Sequence, residues 1–311
     1  MEGVLVDATG RLLWPWRLIA FVFFTWAAAI AITAIVYPFV AGVSHLVGVR
    51  FIAFPWINVV AVAAGTALTL RSADKQLTWS AIGLGRAAAR PGVLGGSALL
   101  GGLAIAGPCV ALLAVGWLSV GASTGAWVGG SEGIDLSAQV GWWEAAGMSA
   151  LILAPSALSE ELLVRGYVFT ALRERFGWQV ALGATSTIFA LLHIANPGAS
   201  AQTLALVTIA GIFLGTVVLV TQSLYAAVAA HFAWNFVMAA VMHTSVSGLP
   251  LSAPGYRVTN SGPVWATGGA WGPEGGAFAA AGMALALVVL FTRPAGRELL
   301  MRPFGRRETV A

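Results

Sequence analysis

Eight long apolar runs divide this chain, and they constrain its fold more than any other feature. The runs cover 18–43, 51–70, 92–120, 143–171, 178–195, 200–221, 223–243 and 277–292. A helix crosses the roughly 30 Å of bilayer hydrocarbon with about 20 mostly apolar residues. Lipid offers the backbone no hydrogen bonds, and the runs lack the polar–apolar alternation of membrane strands. We therefore predict an all-α fold, a polytopic transmembrane helix bundle with about eight spans.

The scarcity of charge excludes several protein classes. Charged residues make up 9% of the chain and hydrophobic residues 59%, with a mean hydropathy of +0.86. Soluble domains carry about 25% charged residues, so a soluble enzyme, a disordered linker and a secreted disulfide scaffold are all excluded. Cys109 is the one cysteine, so no intramolecular disulfide can form. No basic stripe is present, and we predict no nucleic-acid partner.

The placement of basic residues predicts the orientation in the membrane, because cytoplasmic loops are enriched in Lys and Arg. With the N-terminus inside, thirteen basic residues fall on the cytoplasmic side and two on the outside. The cytoplasmic set is Arg11, Arg17, Arg71, Lys75, Arg86, Arg90, Arg173, Arg175, Arg293, Arg297, Arg302, Arg306 and Arg307. The outer set is Arg50 and Arg257, beside the acidic Glu132, Asp135 and Glu274. Both termini are therefore predicted to be cytoplasmic.

The apolar runs also divide the chain into three parts. These are a cytoplasmic N-terminal segment (1–17), a transmembrane helical domain (18–292) and a basic cytoplasmic tail (293–311). The tail would contact anionic lipid head groups of the bilayer. The excess of Arg over Lys, together with abundant Ala and Gly, favours a bacterial protein and hence a bacterial plasma membrane.

Ionisable and amide side chains interrupt three of the apolar runs. Each ionisable group costs roughly 2.5–3.5 kcal/mol to insert into a membrane, so such residues are functional candidates. The motifs are Glu160-Glu161-x-x-x-Arg165, Phe189-x-x-x-His193 and His231-x-x-x-Asn235. Carboxylates and imidazoles from separate helices are the groups that acid–base catalysis uses.

Helical spacing divides the two glutamates between two environments. Residues four apart lie on one face, so Glu161 can pair with Arg165, and His231 can pair with Asn235. Glu160 points about 100° away from Glu161 around the helix. One carboxylate can therefore be structural while the other acts as a base.

The three motifs, in this order on successive motif-bearing helices, resemble the CPBP family. These proteins are the CAAX-protease and bacteriocin-processing intramembrane endopeptidases, also called the Abi family. The resemblance runs from Glu160 to Asn235, within about 143–243, and agrees with an eight-span setting. It implies an endopeptidase that hydrolyses a peptide bond of a membrane-embedded or lipidated substrate. The resemblance allows CAAX-type processing, or maturation of and immunity to a bacteriocin-like peptide.

The resemblance also implies residue roles. A motif glutamate would activate the attacking water, a role that we assign to Glu160, and His193 would help to hold it. His231 and Asn235 would stabilise the oxyanion, and the spacing favours Glu161 for the supporting pair with Arg165. Phe189 would pack near the site without reacting.

Two alternatives stay open from the sequence alone. Glu160, His193 and His231 are residue types that bind zinc, which activates water as well. The zinc-protease motif His-Glu-x-x-His is absent, and we favour a mechanism without a metal or other cofactor. The second alternative is a non-catalytic membrane scaffold or transporter that retains the family fold.

Overall fold

A computed structural model describes residues 4–42, 49–122, 134–135, 141–252, 255–303 and 305. Each of the eight predicted runs contains a helix, so the predicted all-α polytopic bundle is confirmed. The α-helices are α1 Trp14–Gly42, α2 Val49–Leu68, α3 Pro91–Ala114, α4 Trp142–Glu161, α5 Phe169–Phe176, α6 Trp178–Leu192, α7 Ala201–Thr221, α8 Leu224–Phe236, α9 Val264–Thr267, α10 Ala277–Thr292 and α11 Pro294–Met301. Of the predicted basic tail, Arg306 and Arg307 lie outside the described residues.

The number of spans is close to the prediction. Within the described residues, six helices are long and apolar enough to cross a membrane, and α10 with α11 makes a seventh if that bent pair is one span. The axes of α10 and α11 differ by 90°. The remaining predicted span corresponds to α6, an apolar helix of 15 residues.

Four π-helical segments extend or connect the helices. They are Thr69–Ala73, Ser80–Leu84, Leu162–Val168 and Val237–Val241. The third joins α4 to α5 and contains a break at Gly166, where φ is −77° and ψ is −111°. Short 3₁₀ turns occupy Arg86–Ala88, Gly269–Trp271 and Pro273–Gly275.

The predicted third span (92–120) ends earlier in the structure, at Ala114. Gly116 has a φ of +74°, a left-handed conformation that commonly terminates helices. The chain then forms β1 (Leu118–Ala122), which pairs antiparallel with β4 (Tyr256–Asn260). A second pair is parallel, β2 (Ile134–Asp135) with β3 (Leu251–Ser252). Hydropathy alone does not separate an apolar strand from the end of an apolar helix.

Ionic contacts define one end of the bundle, which we call the basic end. Arg11 Nη1 lies 2.6 Å from Glu174 Oε1, and Arg17 Nη1 lies 2.8 Å from Asp74 Oδ2. The Tyr167 hydroxyl donates to the same Asp74 oxygen at 2.9 Å. These contacts join the start of α1, the end of α2 and the α4–α5 segment. The opposite end, where α4 begins and α8 finishes, is called the cavity end, after a cavity of about 150 Å³ that extends towards it.

Candidate active site

Glu161 and Arg165 form a buried ion pair inside the bundle. The Glu161 side chain is 0% exposed, and its Oε1 accepts a hydrogen bond from Arg165 Nη1 at 3.1 Å. The same oxygen lies 3.0 Å from His231 Nδ1. Glu161 therefore connects α8 to the α4–α5 segment and occupies the position that the spacing predicts.

Arg165 is held by groups that match its planar, charged guanidinium. Its Nη2 donates to the carbonyl oxygen of Gly211 at 3.2 Å, and its Cζ lies 4.1 Å from the centre of the Phe189 ring. A Cβ atom on Gly211 would lie 3.0 Å from Nη2. The missing side chain of Gly211 thus leaves the space that Arg165 occupies.

Glu160 lies in a different environment from Glu161. Its side chain is 33% exposed, and its Oε2 lies 4.0 Å from His193 Nε2 and 3.9 Å from His231 Nε2. That buried oxygen has no hydrogen-bond partner among the described residues. The carboxylate therefore faces two imidazoles without bonding directly to either.

The backbone and Glu161 orient the two imidazole rings. His193 follows the last residue of α6, and its Nδ1 lies 2.8 Å from the carbonyl oxygen of Phe189. A carbonyl only accepts, so His193 Nδ1 carries the proton of that bond. The carboxylate of Glu161 similarly makes Nδ1 of His231 the donor. Both rings consequently direct Nε2 towards Glu160.

A cavity of about 150 Å³ begins at this cluster. Asn235 lines it one helical turn beyond His231, and neither side chain bonds to the other. The spacing allowed that pairing, but His231 Nδ1 is engaged by Glu161 instead. The cavity is lined by Ile152, Leu153, Ser156, Glu160, His193, Asn196, His231, Asn235, Val246, Ser247, Leu249, Pro250 and Leu251. The cavity thus combines seven polar lining residues with six apolar ones.

Sequence reasoning missed Glu274, which it placed in an outer loop. Its Oε2 accepts from Trp234 Nε1 at 2.9 Å, and its Oε1 accepts from the backbone NH and the hydroxyl of Ser247. Asn196 Nδ2 donates to the carbonyl oxygen of Ser247 at 2.9 Å. Glu274 therefore connects α8 with the turn that borders the cavity. The sequence feature that could have indicated its role is a single carboxylate among the Gly and Trp residues around position 274.

The spacing of the polar groups can be compared with the requirements of a metal. Zinc holds imidazole and carboxylate ligands at about 2.0–2.2 Å, which places tetrahedral donors roughly 3.4 Å apart. The carboxylate oxygen of Glu160 is farther than this from both imidazoles. Within the part of the chain that the structure describes, no group of three His, Cys, Asp or Glu residues could hold a metal ion. In this geometry the three groups are therefore spaced more widely than zinc ligands, and a mechanism without a metal stays a prediction.

These observations define an integral multi-pass membrane protein whose helices enclose a carboxylate–imidazole cluster. Residues 142–237, less than half of the chain, match the family model described as type II CAAX prenyl endopeptidase Rce1-like. The matched segment runs from the start of α4 to just beyond α8 and includes the six predicted site residues. The predicted resemblance is thereby confirmed, and the match supports a peptidase function in general. Comparisons with curated proteins and with solved structures found no match.

Proposed function

We propose that this protein is an intramembrane endopeptidase that hydrolyses a peptide bond of a membrane-associated protein or peptide, with Glu160 as general base. The observation that carries the proposal is the convergence on Glu160 Oε2 of two imidazole Nε2 atoms, at 4.0 and 3.9 Å, beside a cavity. The Rce1-like match over the same helices supports it. CAAX-type and bacteriocin-type peptides are both candidate substrates.

The spacing around Glu160 suits a water-mediated reaction. Polar groups about 4 Å apart are too far for a direct bond and can share one bridging water. Such a water donates to Glu160 and to the Nε2 lone pair of His193. Glu160 takes its proton while the oxygen bonds to the carbonyl carbon. The proton then moves to the leaving nitrogen as the C–N bond breaks, and the products are a carboxylate and an amine.

His231 and Asn235 are suited to the oxyanion that forms in this step. As an imidazolium, His231 donates from Nε2, and the neighbouring Glu161 carboxylate balances its charge. Asn235 offers amide donors one turn further along the same cavity wall. A single positioned oxyanion donor contributes about 2.7–4 kcal/mol of transition-state stabilisation in known hydrolases.

A comparison of membrane peptides tests this function. Membranes are prepared from cells that carry wild-type protein, Glu160→Gln or Glu144→Gln, and new peptide termini are identified by mass spectrometry. Glu144 lies on the same helix but is exposed and bonds only near the start of α4. We expect truncated peptides in membranes with the wild type and with Glu144→Gln. In Glu160→Gln the rate of their formation should fall by a factor on the order of 10²–10⁴.

Equal amounts of the three proteins in the membrane are the necessary control. Matching peptidomes, together with full rescue of a deletion phenotype by Glu160→Gln, would contradict the proposal in favour of a scaffold or transporter. Loss of cleavage on treatment with a chelator, restored by zinc, would contradict the metal-independent mechanism.

A further inference from the structure

The cavity beside Glu160 leads towards one end of the bundle. On α4, its lining residues run from Glu160 back to Ile152, in the direction of Trp142. On α8 they advance from His231 to Asn235, away from Leu224. The turn that follows α8 completes the wall with residues 246–251. Each of these directions points to the cavity end.

Packing closes the site on the opposite side. The side chains of Glu161, Arg165 and Tyr167 are buried between Glu160 and the basic end. Leu224, at the start of α8, is also fully buried. Below this layer, Asp74 accepts hydrogen bonds from Arg17 and Tyr167. The residues between Glu160 and the basic end are therefore packed, whereas the cavity of about 150 Å³ extends from Glu160 towards the cavity end.

The two ends differ strongly in charge. The basic end carries Arg11, Arg17, Arg71, Lys75, Arg86, Arg90, Arg173, Arg175, Arg293, Arg297 and Arg302. At the cavity end, the described basic residues are Arg257 and Arg50, the latter in the first turn of α2. Because Lys and Arg accumulate in cytoplasmic segments, the basic end faces the cytoplasm.

We propose that the active site takes its substrates from the non-cytoplasmic side of the membrane. The inference rests on the proposed endopeptidase function and adds its substrate class, a polypeptide segment exposed on or exported to the outer face. Of the two candidate substrate types, the inference retains exported peptides and excludes the CAAX type, because a protein lipidated at a cytoplasmic C-terminus would meet the closed, basic end.

The cavity wall also indicates the chemistry of the substrate beside the cleaved bond. Its apolar members are Ile152, Leu153, Val246, Leu249, Pro250 and Leu251. Among the residues that the structure describes, no Lys or Arg side chain lines this cavity. Apolar walls favour apolar side chains, because burying them releases about 25 cal/mol per Å². The preferred substrate therefore has apolar residues next to the cleavage site.

Cysteine labelling tests the orientation without any assay of cleavage. In a Cys109→Ala background, Leu249→Cys marks the cavity end, where Leu249 is 51% exposed. Ala87→Cys is the matched probe on an exposed position of the basic end. We expect a membrane-impermeant maleimide to label Leu249→Cys in intact spheroplasts and Ala87→Cys only after permeabilisation. The reverse pattern would overturn the inference and leave the endopeptidase function intact.

The cleavage sites give the second measurement. Sites that disappear in Glu160→Gln are mapped onto the topology of the proteins that contain them. Sites on outer or exported segments support the inference, whereas sites on cytoplasmic segments overturn it while retaining the endopeptidase. The absence of any Glu160-dependent site, with the protein at wild-type level, removes the proposed function itself.

Discussion

Glu160 and Glu161 are adjacent in sequence, yet they are placed to do different work. Glu161 is buried and bonds to Arg165 and to His231, so it fixes both the α4–α5 segment and one imidazole. Glu160 faces the cavity and keeps one oxygen free of hydrogen bonds among the described residues. A buried ion pair resists change because removing one partner leaves an uncompensated charge in a low dielectric.

We therefore expect Glu161→Gln to destabilise the protein while Glu160→Gln does not. Breaking the Glu161–Arg165 pair should cost about 3–5 kcal/mol of unfolding free energy, since Arg165 would stay buried without its partner. Thermal unfolding in detergent measures both variants against the wild type. Equal melting temperatures for the two variants would contradict the assignment of Glu161 as the structural carboxylate.

At the scale of elements, helix contacts and one turn position the side chains of the candidate active site. Gly211 on α7 lets α6 approach and leaves room for Arg165. Gly96 on α3, in contrast, faces open space. The turn 246–249 has positive φ at both central residues, +50° at Ser247 and +79° at Gly248. Its position is fixed by Glu274 and by a hydrogen bond from Gly248 N to the carbonyl of Trp271.

Replacing Gly211 by alanine tests the helix contact. The new Cβ would lie 2.8 Å from Ser186 Cα and 3.0 Å from Arg165 Nη2, so we expect a loss of roughly 1–3 kcal/mol from overpacking. Gly96→Ala is the control, because its new methyl group would lie more than 4 Å from every described heavy atom outside the adjacent backbone of its own helix. Unfolding measurements that show no difference between the two variants would contradict this contact.

The turn is tested with Ser247→Ala, which removes one hydrogen bond to Glu274 and changes no proposed reacting group. We expect a weaker cavity wall and therefore a higher KM with little change in kcat, measured on a peptide found by the membrane comparison. The lost hydrogen bond, from the Ser247 hydroxyl to the Glu274 carboxylate, is worth about 1.5–3 kcal/mol because its acceptor is charged. Ser245→Ala on the same segment is the control. An unchanged KM, or a fall confined to kcat, would contradict the role of the turn.

At the scale of the whole molecule, the sequence predicts the helices but not how they converge. Hydropathy is a local property, so the apolar runs and the Glu161–Arg165 spacing could be read directly. The strand that replaces the end of the third span could not, because Leu118 pairs with Asn260, far along the chain. Convergence of the motifs is long-range, since Glu161 contacts His231 from 70 positions away, and α6 ends just before His193. The contacts of Glu274 also join distant positions, since Trp234 and Ser247 lie 40 and 27 residues before it.

The ion network at the basic end gives a prediction for the whole bundle. Asp74 is buried and accepts from Arg11, Arg17 and the Tyr167 hydroxyl, so it joins α1, α2 and the α4–α5 segment. Asp74→Asn should lower the unfolding free energy by about 1.5–3 kcal/mol, because Arg11 and Arg17 lose the buried one of their two carboxylate partners and keep Glu174. Lys75→Gln on the exposed neighbouring position should leave it unchanged. Equal unfolding curves for both variants would contradict this role of Asp74.

The most direct test of Glu160 as the general base follows the oxygen of the attacking water. Purified wild-type and Glu160→Gln proteins are reconstituted in lipid and incubated, in water enriched in oxygen-18, with a peptide found by the membrane comparison. We expect the wild type to place heavy oxygen in the new C-terminal carboxylate and Glu160→Gln to form almost none of this product. Equal rates of labelled product from both proteins would show that Glu160 is not the base.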